Sequence, residues 1–166
     1  REQIEAELKL RLGVEKVLWL PGDPLDRETD GHVDGLAAFC APGKVILETA
    51  SDAERESYFA ELRDALESLT DARGRSLEIV ELPEADWSIA TNDRFCLSYV
   101  NFYIANGAVI APSYGVATDA VARERLQDCF PDRQIVMVPI AAIAEGGGGI
   151  HCITQQQPAV VNPADR

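Results

Sequence analysis

Three short apolar runs, each closed by proline, set the rhythm of the chain. Residues 16–21, 78–83 and 134–139 are rich in Val, Ile and Leu, and end at Pro21, Pro83 and Pro139. The prolines lie 62 and then 56 residues apart, a spacing that suggests a structural repeat. Near-continuous apolarity over so few residues predicts strands covered on both faces. A helical pattern precedes each run. Residues 2–12 place Ile4, Leu8 and Leu12 on one face and stop at Gly13. Residues 53–70 group Tyr58, Leu62, Ala65, Leu66 and Leu69. Residues 118–130 group Val121, Ala122, Leu126, Cys129 and Phe130, with Thr118 as the expected N-cap.

A loop and a hairpin signal follow each of the first two strands. The first hairpin runs through 32–39, turns at Ala41-Pro42-Gly43-Lys44 and returns through 45–47. The second runs through 95–104, turns at Asn106-Gly107 and returns through 108–111. Asn-Gly suits a two-residue hairpin because both residues tolerate positive φ. The unit is thus helix, buried strand, loop, hairpin, in an α/β protein. A third copy begins at Gln134 and stops inside its hairpin, at 150–154. An array that ends in mid-unit is completed by its other end, so the chain is expected to be an arc of a larger closed array.

The repeat brings two distant residues into correspondence. His32 lies 11 residues beyond Pro21, and Cys152 lies 13 beyond Pro139. Both fall near the start of a hairpin, and in units arranged around an axis such positions converge. In a strand, residues two apart share a face, so Asp30, His32 and Asp34 are expected to point one way. A carboxylate beside an imidazole raises its pKa and can hold a cation. On the residues alone, a structural or surface histidine fits His32 equally well. Before Cys152 stands Gly146-Gly147-Gly148-Gly149, which removes side-chain bulk beside the thiol; a flexible linker is the bland alternative. The run lacks the Lys-[Ser/Thr] ending of a phosphate loop.

Four cysteines without a CxxC pair argue against a zinc site or a disulfide framework and fit reduced thiols in a cytoplasm. Cys40, Cys96 and Cys129 fall in apolar patterns and are expected in the core. A formal net charge of −13 argues against nucleic acid and favours a cationic ligand. No apolar run is long enough to span a bilayer.

Together, Trp19-Leu20-Pro21-Gly22, Glu28-Thr29-Asp30-Gly31-His32-Val33-Asp34, the stretch from Ser98 to Gly107, Phe130-Pro131-Asp132-Arg133, and the glycine run continuing from Ile150 to Pro158 resemble the agmatine deiminase family. The resemblance runs from about Val17 to Pro158. Bacterial peptidylarginine deiminases share much of it. It implies a pseudo-fivefold α/β propeller, of which residues 1–166 form the carboxyl-terminal part, with the amino-terminal units absent. It also implies cytoplasmic hydrolysis of agmatine to N-carbamoylputrescine and ammonia in polyamine formation, without metal or organic cofactor. Cys152 would be the nucleophile, His32 the acid–base residue and Asp34 a carboxylate gripping the guanidinium, with Asp30 in support. The partner expected is a small cationic guanidine, with no nucleic acid or membrane; a homo-oligomer is compatible. Family members carry two further active-site acids in an amino-terminal half, so this chain alone is expected to be inactive. Two other readings stay open: a peptidylarginine deiminase, and a truncated non-catalytic module of the same fold.

Overall fold

A computed structural model describes residues 1–23, 29, 31–50 and 53–157, apart from the side chain of Glu54. Helix α1 (Glu2–Leu12) comes first. Two units of identical order follow. The first comprises β1 (Ala37–Ala41), β2 (Lys44–Thr49), α2 (Ala53–Glu67) and β3 (Glu78–Pro83); the second comprises β4 (Tyr103–Ala105), β5 (Ala108–Ser113), α3 (Thr118–Cys129) and β6 (Gln134–Pro139). A one-turn helix α4 (Ala141–Ala144) and a 3-10 turn (His151–Ile153) lead on from β6.

The two sheets match in pairing as well as order. In each, a hairpin is antiparallel and its second strand pairs in parallel with the strand after the helix. Thr49 stands opposite Pro83, and Ser113 stands opposite Pro139. Both hairpins use two-residue turns whose second residue, Gly43 or Gly107, has φ near +76°, a conformation that disfavours any residue with a Cβ.

Burial explains the apolar runs. On β2, Val45 and Leu47 pack with Tyr58, Leu62 and Leu66 of α2. Ile46, on the opposite face, joins Leu82 and the α3 residues Ala122 and Leu126 in the main core. Helix α3 of the second unit therefore covers the back of the first sheet, and the units share one core. The chain is thus α/β, as expected. Cys129 lies in that core, with Cys40 and Cys96 packed against it.

Several expectations need correction. Residues 16–21 form no strand, although Leu18 and Leu20 pack against the first-unit core. A strand needs a paired neighbour, and among the described residues none pairs with this run. Residues 32–36 are not extended: a 3-10 turn (Val33–Gly35) precedes β1. Residues 95–102 form no ladder either, because their backbone serves loops, with Cys96 N–H donating to Ala144 O and Leu97 O accepting from Ala85 N–H. The third hairpin is replaced by the turn at His151–Ile153. Helix α1 has the expected bounds, with Gly13 at φ +68° closing it, but buries none of its residues, and Leu10 and Leu12 stay exposed. Val121 is also exposed. Thr118 is not a cap; its hydroxyl meets Tyr99 OH.

Asp119, one residue into α3, ties the second unit together. Its carboxylate accepts hydrogen bonds from Tyr99 OH (2.7 Å), Ser113 Oγ (2.8 Å), Tyr114 N–H (3.0 Å) and Gly115 N–H (2.8 Å). Burial opposes ionisation, but these donors outweigh it and hold the carboxyl below its ordinary range. Asp119→Asn should therefore lower stability by about 2–3 kcal/mol at neutral pH, measured by urea denaturation. A depressed folded pKa stabilises above the unfolded value of about 3.9. The gap between the two proteins should accordingly narrow as pH falls through the lower folded value.

Candidate active site

The chemistry gathers where three segments approach one another: the 3-10 turn before β1, the loop before β4 and the 3-10 turn after α4. Asp34 and Cys152 each lie 13 residues beyond the proline of their own unit, Pro21 and Pro139. Asn101 lies between them and is 2% exposed. Its amide nitrogen donates to the Asp34 backbone oxygen (3.2 Å) and carboxylate Oδ2 (3.1 Å), and lies 3.4 Å from Cys152 Sγ. Its amide oxygen accepts from His151 N–H at 2.9 Å. Cys152 Sγ is also 3.6 Å from Asp34 Oδ2.

The glycine run makes this approach possible. A Cβ on Gly149 would overlap the Asn101 amide oxygen, and one on Gly148 would press on Cys152. These glycines are spacers for a close contact rather than a linker. Gly31, at φ +78°, similarly lies against the backbone of Asp23.

His32, Asp34, Asn101 and Cys152 line one cavity of about 200 Å³. Cys152 is exposed, unlike Cys129. Burial pushes the Cys96 thiol up to about 12. A hydrogen bond from the Cys40 thiol holds the Cys129 thiol below its ordinary range, but Cys129 is buried at the end of α3. Deeper in the cavity, Arg55 of α2 donates to Glu84 Oε2 (2.6 Å) and Asp23 Oδ2 (2.9 Å) and lies over the rings of Phe59 and Trp87. Glu48 of β2 is fully buried beside them. Burial, then the charge of Glu84, raises its carboxyl well above the ordinary range, against the opposing pull of the Ser98 hydroxyl and of Arg55.

The structure brings His32 and Cys152, the two residues that the repeat set in correspondence, to one cavity together with Asp34. Asp30 lies outside the described residues. The imidazole on Asp34, however, belongs to His151: its Nδ1 lies 2.8 Å from Asp34 Oδ2. His32 stands just ahead of the turn, and its N–H donates to Thr29 Oγ1 at 3.1 Å. The reason is the turn itself, since a 3-10 segment does not keep residues two apart on one face. His151 and Asn101 escaped sequence reasoning. The register would have found the first, because an equal offset of 13 aligns Cys152 with Asp34 rather than with His32. Asn101 had only its place in the Ser98–Gly107 motif.

An exposed thiol held beside a carboxylate and a buried amide, at the mouth of an acid-lined cavity, defines a site suited to nucleophilic chemistry on a cation. The chain belongs to the Porphyromonas-type peptidyl-arginine deiminase family, whose family model matches residues 1–158. It is 40% identical over 179 residues to the agmatine deiminase of Pseudomonas fluorescens strain SBW25, covering 96% of this chain and 49% of that protein. Among solved structures it is similar to the agmatine deiminase of Enterococcus faecalis, with TM-score 0.84 and 39% identity over 97% of this chain and 49% of the other. It also resembles the C315S agmatine deiminase of C. jejuni solved with substrate bound, with TM-score 0.74 and 26% identity over 91% of this chain and 44% of the other. The chain spans about half the length of the curated relatives it matches. Among the described residues no helix is long and apolar enough to cross a membrane.

Asn101→Ala tests the centre of this arrangement. It removes the donor shared by Asp34 and Cys152 and leaves the His151 N–H without its side-chain acceptor. Denaturation in urea should show a loss of about 2–3 kcal/mol.

Proposed function

We propose that the full-length protein carrying this chain hydrolyses the guanidine group of agmatine to N-carbamoylputrescine and ammonia, a step toward polyamines in the cytoplasm. The contact of Cys152 with Asp34 and Asn101 at one acid-lined cavity is the observation that carries this reading; the relatives' names supply the substrate. We further propose that the two repeated units are part of a pseudo-fivefold α/β propeller with this cavity near its axis. The remaining units would supply the rest of the active-site acids. A free small molecule is the partner, so neither nucleic acid nor membrane is needed.

The guanidinium carbon is placed for attack when Asp34 binds the planar cation. Among the described residues, the Asp34 side-chain contacts fall on Oδ2, and Oδ1 would take the substrate N–H groups. The Cys152 thiolate then adds to the carbon. His32 protonates the departing nitrogen, ammonia leaves, and an amidino-thioether remains. Water, deprotonated by His32, attacks that carbon and expels the thiolate, which yields the ureido product. The positive charge of the bound guanidinium beside Sγ stabilises the sulfur anion that attacks.

A second assignment of the acid–base role has its own support. His151 is the histidine in contact with Asp34, and a carboxylate-oriented imidazole is a common proton shuttle. The two variants separate these readings: His32→Ala should abolish turnover, whereas His151→Ala should reduce it about tenfold or less. The opposite order would move the role to His151.

Ammonia release tests the substrate. Agmatine should outperform free arginine and peptidyl-arginine. Asp34→Asn should lower kcat/KM for agmatine about a hundredfold, through loss of one charge-assisted contact. Preference for a peptide would reassign the substrate to the sister deiminases. No ammonia from any guanidine would favour a non-catalytic module.

A further inference from the structure

We propose that Glu48 forms a second subsite in this cavity, which takes a primary ammonium at the end of the substrate remote from the guanidinium carbon. The proposal rests on the guanidine reading above and names the residue that selects the substrate's tail.

The observation behind it is an orphaned buried acceptor. Glu48 is 2% exposed, and its Oε1 accepts no hydrogen bond among the described residues. A buried carboxyl oxygen without a donor is costly, and native structures keep such groups mainly where something binds. Glu48 lines the same cavity as Asp34 and Cys152. It also sits close to them along the fold. Its N–H donates to Leu36 O at 2.9 Å, and Ser98, whose hydroxyl faces it, donates to Gly35 O at 2.9 Å. The subsite therefore lies one short turn from the carboxylate proposed to bind the guanidinium.

Its chemistry is defined by the charges around it. Glu84 follows β3, Arg55 projects from α2, and Cys96, Tyr99 and Tyr114 face Glu48 from the second unit. Arg55 already bridges Asp23 and Glu84. A carboxylate tail, such as that of an amino acid, would bring another anion against Glu48 and Glu84. An ammonium brings the missing positive charge and three donors. Leu36, Trp87 and Phe95 also line the cavity and offer apolar surface suited to a short methylene chain. Glu48 Oε1, which has no donor among the described residues, would accept a hydrogen bond from the arriving ammonium.

Agmatine and n-butylguanidine provide the test, since they share a four-carbon chain and differ in whether it ends in ammonium or methyl. In the full-length protein, Glu48→Gln should lower the kcat/KM preference for agmatine over butylguanidine about ten- to a hundredfold, mainly through the KM for agmatine. Turnover of butylguanidine by the variant serves as its check of folding. A measurement on the unaltered protein needs no variant. Calorimetry should show agmatine binding about tenfold or more tightly than butylguanidine. An unchanged preference in Glu48→Gln, or equal affinity of the unaltered protein for the two ligands, would overturn the subsite while leaving the guanidine reading intact. Failure of the unaltered protein to bind or turn over either guanidine would overturn both.

Discussion

One buried amide holds the site together. Asn101 stands between a turn of the first unit and a turn after the second, and its two polar atoms serve both. The nitrogen reaches Asp34 and Cys152, and the oxygen takes the backbone N–H of His151. Inside a protein such a hydrogen-bonded centre is strong when satisfied and expensive when not. The geometry around it is correspondingly narrow. Gly149 has to be glycine because the amide oxygen occupies the space of its Cβ. The thiol and the carboxylate are 118 residues apart in sequence and 3.6 Å apart in space, and Asn101 bonds to the turns that carry both.

The repeat provides the frame for this contact. Two units with the same strand pairing share a core, in which α3 covers the first sheet with Ala122 and Leu126. Each unit delivers the segment before its hairpin to the same place, and those segments have few ladder bonds to lose. Their backbone groups are instead taken by neighbouring loops and by side chains such as Ser98 and Asn101. The cavity-lining groups thus sit on irregular backbone carried by regular strands. The cost is a cavity wall of buried charge. Arg55 offsets Asp23 and Glu84 within hydrogen-bond distance, as a buried ion cluster requires.

Much of this was legible in the residues. The proline-terminated runs marked β3 and β6, the helical patterns gave α1, α2 and α3 nearly to their ends, and Pro42-Gly43 and Asn106-Gly107 located both turns. The repeat paired Cys152 with His32, whereas Asp34 came from strand alternation and the family resemblance. Periodicity failed where backbone bonds are long-range. Apolar residues 95–102 look like a strand, yet their groups bond to loops far away in sequence. Residues 16–21 carry a strand pattern without a paired neighbour among the described residues. The His151–Asp34 contact was hidden for a related reason: a 3-10 turn turns its residues differently from the strand that alternation suggested. Glu48 was hidden altogether, since a charged residue inside an apolar strand reads as an outward-facing one until both faces are seen to be covered.

We propose that Cys152 forms a covalent bond to the guanidine carbon while Asp34 and Asn101 hold the thiol and the cation in place. Acid quenching during turnover of agmatine, followed by peptide mass spectrometry, tests it most directly. The peptide containing residues 146–157 should carry one amidino-type adduct on Cys152, and the adduct should disappear in Cys152→Ser. An adduct on Cys40, Cys96 or Cys129 instead, or ammonia release by Cys152→Ser at the unaltered rate, would contradict the account.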